Sequence, residues 1–62
     1  MCLSTVYRDT KAEENVCAKF VAQIDVKGDT LTFTDVMGLV TTVEGKLLSA
    51  DLTAGVVIFS AA

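Results

Sequence analysis

The clearest hydrophobic pattern in the chain is an alternation that runs from Val16 to Val26. A period of two is the spacing of a β-strand with one face buried. A helix over residues 11–21 is the alternative interpretation, because apolar residues also recur there at a spacing of four, but alternation accounts for more positions. We therefore predict a half-buried strand. Its apolar face would carry Val16, Ala18, Phe20, Ala22, Ile24 and Val26.

The other apolar segments are short and are separated by turn signals. Lys27-Gly28-Asp29 predicts a tight hairpin, because glycine accepts the positive φ that such turns need. Further breaks are expected at Met37-Gly38, Glu44-Gly45 and Thr53-Ala54-Gly55, and residues 9–15 are polar and should form at most one helical turn. The six predicted strands cover residues 2–8, 16–26, 30–35, 39–43, 46–52 and 56–60.

Side-chain directions follow from the same alternation. In the strand over residues 30–35, Leu31 and Phe33 should point inward and the threonines outward. In the first strand, Cys2 would point outward if Leu3 and Tyr7 enter the core. Six short strands about ten residues apart predict an all-β fold, either a small curled sheet or an SH3-like or OB-like barrel of antiparallel strands.

The amino-acid composition indicates that the chain associates with a second subunit. The chain has 62 residues, which is enough for a single domain over residues 1–62, and 52% of them are hydrophobic with a mean hydropathy of +0.54. A domain this small has too much surface to hide so many apolar side chains. The last strand, residues 56–60, is apolar on both faces and needs a cover from the N-terminal strand or a partner. We therefore expect a homodimer.

Charge and cysteine usage exclude several classes of function. The formal net charge is −3, so the basic surface that binds phosphates is not expected, and nucleic acid is not a predicted partner. No apolar run reaches the roughly 18 residues that a membrane-spanning helix needs. Two cysteines without a secretory signal pattern predict a cytoplasmic protein. No glycine-rich phosphate loop and no convincing catalytic pair of carboxylates is evident, so an enzyme is not predicted.

The chemistry of the chain is concentrated at its start. Histidine, the commonest metal ligand, is absent. The Met1 amine, the Cys2 amide nitrogen and the Cys2 sulfur can close two fused chelate rings around a metal; if Met1 is removed, the Cys2 amine and thiolate still close one. The alternative for Cys2 is an exposed thiol without a role. Cys17 lies among apolar residues and is expected to be a small filler, with a second ligand role as its alternative.

Three stretches together resemble the CooT family, small nickel-binding accessory proteins of carbon monoxide dehydrogenase. They are Met1-Cys2-Leu3-Ser4-Thr5-Val6-Tyr7, residues 25–35 (DVKGDTLTFTD) and residues 43–52 (VEGKLLSADL). The resemblance implies a small β homodimer in which the two Cys2 residues meet and bind one Ni(II). Among the residues of this chain only Cys2 carries over as functional, and the implied client is carbon monoxide dehydrogenase.

The hypothesis that follows is a shared metal site. Each subunit would supply one thiolate and one nitrogen, and four such donors in a plane suit Ni(II) better than Zn(II), which prefers a tetrahedron. One alternative is a hydrogenase-maturation chaperone of the HypC type, which the opening Met1-Cys2-Leu3 also resembles, although the proline, glycine and histidine of that family are missing here. The other is a dimeric β module without a metal.

Overall fold

The computed structural model describes residues 3–61 and shows an all-β chain in that range. Each strand is antiparallel to the one before it. Because the number of strands in this range is odd, the first and last run parallel, and their pairing closes a barrel. The prediction of a small β barrel is confirmed. The order is a simple meander rather than the Greek key of an OB fold. The strands are β1 (Ser4–Arg8), β2 (Val16–Lys27), β3 (Thr30–Asp35), β4 (Val40–Asp51) and β5 (Val56–Ala61), with a 3₁₀ turn at Glu13–Asn15.

Two long strands belong to both sides of the barrel. The first half of β2 pairs with β1 up to Val21, and its second half pairs with β3 from Val21 to Lys27. Likewise, β4 pairs with β3 up to Glu44 and with β5 from Gly45 onward. The bends in β2 and β4 are therefore the corners at which one sheet passes into the other.

The corner in β4 corrects the predicted turn at Glu44-Gly45. The strand continues through Gly45, whose N–H donates to the Asp29 carbonyl at 2.7 Å. A Cβ atom at Gly45 would lie 2.1 Å from the Ser60 carbonyl oxygen, so glycine is needed here because two backbones approach closely. The segments predicted as two strands, residues 39–43 and 46–52, are consequently one, which is why the described chain has five strands instead of six.

The corner in β2 corrects the predicted faces of that strand. Phe20, expected to point inward, is 60% exposed, whereas Val21 is only 3% exposed. One extra residue stands in β2 between the pairs Ser4↔Val21 and Val6↔Ala18, and Phe20 has a φ of +57°. An extra residue in a strand exchanges its two faces, so the alternation on one side of the bulge does not continue on the other.

The core is small and is drawn from four strands. Leu31 and Phe33 point inward as predicted, and the Phe33 ring packs on that of Phe59 with centroids 5.8 Å apart. In β1 the buried side chains are Ser4 and Val6, not Leu3 and Tyr7, so the premise for an outward Cys2 does not hold; Cys2 itself lies outside the described residues. The buried hydrophobic residues are Val6, Val21, Leu31, Phe33, Val57 and Phe59.

Candidate functional site

The predicted metal ligands Met1 and Cys2 lie outside the described residues, but the structure shows where the chain enters the barrel. Thr5 donates its N–H to the Gly55 carbonyl at 2.9 Å, and a Cβ atom at Gly55 would lie 2.9 Å from the Leu3 carbonyl oxygen. The loop between β4 and β5 therefore packs directly on the backbone of Leu3. Only glycine at position 55 leaves room for this contact.

Asp51 holds this loop in shape. Its Oδ1 accepts hydrogen bonds from the backbone N–H groups of Thr53, at 3.1 Å, and Ala54, at 3.0 Å. An aspartate that accepts bonds from the backbone two and three residues further on stabilises a turn. The sequence analysis placed Asp51 in the strand over residues 46–52, at the end of which the structure has it, but did not predict the loop that supports the start of β1. In the sequence, Asp51 followed by Gly55 was the pattern that could have indicated this loop.

An open groove of about 480 Å³ lies beside the chain entry. Ser4 and Val21 form its floor, and both are nearly inaccessible to solvent. Ala22, Ile24 and Leu52 form the rest of its lining, so the groove is apolar apart from the serine. The described part of the chain therefore begins at the edge of an apolar depression.

Cys17 lies elsewhere in the barrel. It falls between the pairs Val6↔Ala18 and Tyr7↔Val16, near the far end of β1. This is roughly three residues of extended strand, or about 10 Å, from the level of Ser4. The side chain is half-buried and packs against the core, and its Sγ lies 3.7 Å from the Asn15 carbonyl oxygen. Cys17 therefore fills space beside the core, and its alternative role as a second metal ligand stays a prediction.

Residues 1–60 match the model of a family described as CO dehydrogenase accessory protein CooT. The chain belongs to the CooT family. The match spans the three stretches that carried the resemblance, and it assigns the protein an accessory role toward CO dehydrogenase. Neither a curated protein nor a solved structure matches the chain.

Within residues 3–61 of this CooT-family chain, no group of three or more cysteine and carboxylate side chains could hold a metal ion. Two of the carboxylates there, Asp35 and Asp51, stabilise turns. Asp35, for example, accepts hydrogen bonds from the N–H groups of Met37 and Leu39 at 2.8 and 2.9 Å. Over the same residues, no helix has the length and apolar character required to cross a membrane. The predicted ligands of this CooT-family protein therefore remain Cys2 and Met1.

Proposed function

We propose that this CooT-family protein binds one Ni(II) per homodimer at the start of its chains and presents it to CO dehydrogenase in the cytoplasm. The single observation that carries the proposal is a cysteine at position 2 of a chain that belongs to a family of CO dehydrogenase accessory proteins. The metal is cargo in this role, and the protein is a carrier and not an enzyme.

The donor chemistry supports nickel. Cys2 offers a thiolate, and the backbone or terminal nitrogen next to it completes a five-membered ring. Two copies supply two sulfurs and two nitrogens, a set that favours the tetragonal geometry of Ni(II). Each donor must lose a proton before it binds, so nickel affinity should fall as the pH falls. A reducing compartment keeps the thiol available.

The barrel supports the proposal by fixing the point of attachment. The backbone of Leu3 packs against Gly55, so Cys2 is bonded to a residue whose position on the barrel is fixed. A metal site made from the first two residues of a chain is easier to load and unload than a site enclosed inside a protein core. That property suits delivery of a metal rather than permanent storage.

The test is a Ni(II) titration of the reduced protein, followed by ultraviolet absorption and by calorimetry. We expect a thiolate-to-nickel band that saturates at one metal per two chains and disappears in Cys2→Ala. Cys17→Ala is the matched control, because it removes the other thiol of the chain and should leave the band unchanged. Saturation at one metal per chain would contradict the shared site. Absence of any band would contradict nickel binding and leave a β module without a metal.

A further inference from the structure

The two long strands of the barrel leave part of their edges without a neighbouring strand. Within the described residues, β2 and β4 each pair on one side only along most of their length. The segments concerned are residues 16–20 and 22–27 of β2 and residues 40–44 and 46–51 of β4. An edge without a neighbour is a template for another strand, so natural proteins obstruct such edges with lysines, prolines or bulges.

Among these four segments, residues 40–44, which we call the β4 edge, have no such obstruction. Each of the other three contains one lysine and contains or borders a register shift. The lysines are Lys19, Lys27 and Lys46. The β4 edge (VTTVE) has no lysine, its ladder with β3 has no register shift, and the chain has no proline. The β4 edge is therefore open to pairing with another strand.

The direction of the backbone groups at the β4 edge follows from the hydrogen bonds at the two ends of its ladder with β3. Asp35 donates its N–H to the Leu39 carbonyl at 2.9 Å, and Gly45 donates its N–H to the Asp29 carbonyl at 2.7 Å. In an antiparallel pair, residues that bond to the neighbouring strand alternate with residues whose backbone groups point away from it. The odd-numbered residues of this part of β4 therefore bond to β3.

The N–H and C=O groups of Val40 and Thr42 consequently point away from β3. Among the described residues, the pairing of β5 with β4 ends at Gly45↔Ala61, so β5 does not cover them. Two donors and two acceptors in a row are the groups that an added strand needs. A strand added here antiparallel to β4 would continue the line of β5.

The loop that precedes the β4 edge, residues 36–39, is apolar and exposed. The exposed fractions of its large side chains run from 49% at Val36 to 87% at Met37. The Val36 N–H donates to the Phe20 carbonyl at 3.1 Å, so the loop lies beside Phe20, which the bulge in β2 leaves exposed. Aromatic and methionine side chains are enriched in protein interfaces. The loop therefore adds apolar contacts to the hydrogen-bonding groups of the β4 edge.

We propose that the β4 edge and the loop before it bind an extended apolar segment of CO dehydrogenase, which is added to the barrel as a further strand. The inference rests on the proposed function, because a carrier must dock on the enzyme that receives its metal, and it adds the surface that docks. Backbone hydrogen bonds to the edge would hold the segment, and the apolar loop would select its side chains.

Charge defines the segment further. Residues 36–43 carry no charge, and they are flanked by the carboxylates of Asp35 and Glu44. A segment with an apolar centre and a lysine or arginine at one end complements this surface. The net charge of −3 on the whole chain also favours a basic margin on the partner.

A second copy of this chain complements the β4 edge less well. Two-fold pairing of identical edges about Thr42 sets Val40 of one copy beside Glu44 of the other, which places an apolar side chain against a carboxylate. A register shifted toward Glu44 brings the two carboxylates together, and like charges directly opposite each other are destabilising. These mismatches favour a different protein as the partner.

The first test measures binding of CO dehydrogenase, prepared without nickel, to this protein by biolayer interferometry in the presence of a chelator. Thr42→Pro removes an N–H that points away from β3, and proline is tolerated at an edge position of this kind. The substitution should weaken binding by about 10-fold. Thr42→Val is the matched control, because it keeps the N–H and a β-branched side chain, and it should bind as the wild type does.

A second pair of variants tests the apolar loop and guards against a misfolded Thr42→Pro. Leu39→Glu places a charge in the proposed contact and should weaken binding by about 100-fold. Leu48→Glu is its control, because Leu48 is an exposed leucine in the second half of β4 and the change in charge is identical. Where circular dichroism shows that Thr42→Pro is unfolded, the leucine pair alone decides. Wild-type binding in Leu39→Glu, an equal loss in Leu48→Glu, or a wild-type protein that does not bind the enzyme would each overturn the proposal.

Sedimentation equilibrium tests a second copy as the occupant. Leu39→Glu should associate with itself as the wild type does, and dissociation of this variant into monomers would assign the surface to pairing between copies and overturn the proposal.

Nickel titration separates this inference from the proposed function. Loss of enzyme binding in Leu39→Glu, with no nickel band in the wild type, would support the docking surface and contradict the metal site. One nickel per two chains, with enzyme binding unchanged in Leu39→Glu, would leave the metal site standing and overturn the docking surface.

Discussion

Substitution of Gly45 by alanine tests the corner of the barrel most directly. The added Cβ atom would lie 2.1 Å from the Ser60 carbonyl oxygen, 3.0 Å from the Ser60 carbonyl carbon and 3.2 Å from the Ala61 Cα atom. All three neighbours are backbone atoms of β5, so no side chain can rotate away. The two strands must separate by more than about 1 Å to reach van der Waals contact.

The magnitude follows from three contributions. Overpacking of a tight contact costs about 1–3 kcal/mol. Separation of the strands also weakens the hydrogen bond from the Gly45 N–H to Asp29, which is 2.7 Å long, and a backbone hydrogen bond contributes about 1 kcal/mol. The φ of Gly45 is +157°, and positive φ costs an alanine about 1 kcal/mol. We expect a loss of about 3–5 kcal/mol, from a total stability of about 3–9 kcal/mol for a domain of this size.

The assay is urea denaturation at fixed protein concentration, monitored by far-ultraviolet circular dichroism, because association contributes to apparent stability. The m-value of a chain this small is about 1 kcal/mol/M, so the urea midpoint should fall by about 3–5 M. Gly28→Ala is the control. Gly28 also has positive φ, at +60°, but no atom lies within 4 Å of its added Cβ. Equal losses in Gly45→Ala and Gly28→Ala would refute the argument from close approach.

Three further substitutions test other features of the fold. Phe59→Ala removes a core ring that is 1% exposed and should lower stability by about 3–5 kcal/mol. Phe20→Ala, at 60% exposure, should lower it by less than about 1 kcal/mol. Thermal unfolding measures both losses, and similar values would contradict the outward position that the bulge gives Phe20. Asp51→Ala should destabilise the loop that packs on Leu3 by about 1 kcal/mol and should speed amide hydrogen exchange at Thr53 and Ala54. Asp51→Asn retains a hydrogen-bond acceptor, so its effects on stability and on amide exchange should both be smaller. Cys17→Ser should cost about 1 kcal/mol without changing nickel stoichiometry, and a changed stoichiometry would assign Cys17 a ligand role.

The sequence by itself determined the features that depend on neighbours in the chain. Alternation identified Leu31 and Phe33 as inward-facing, and Lys27-Gly28-Asp29 identified the first hairpin, because both depend on the local geometry of two or three residues. The position of Cys2 and the family were also accessible, since the opening stretch and two later ones resemble CooT proteins, and the match over residues 1–60 confirms the family. Nickel and the homodimer remain proposals drawn from the same residues.

The tertiary structure decided the features that depend on closing the barrel. Glycine at position 45 has the local appearance of a turn, yet its role is set by Ser60, fifteen residues further along the chain. Phe20 fits an apolar alternation, yet the bulge that turns β2 from one sheet into the next sends it outward and buries Val21. Likewise, Val26 is 59% exposed because, within the described residues, residues 22–27 of β2 pair with β3 and have no strand on their other side. Such outcomes are set by contacts between residues distant in the chain, and a pattern of neighbouring residues carries no information about them.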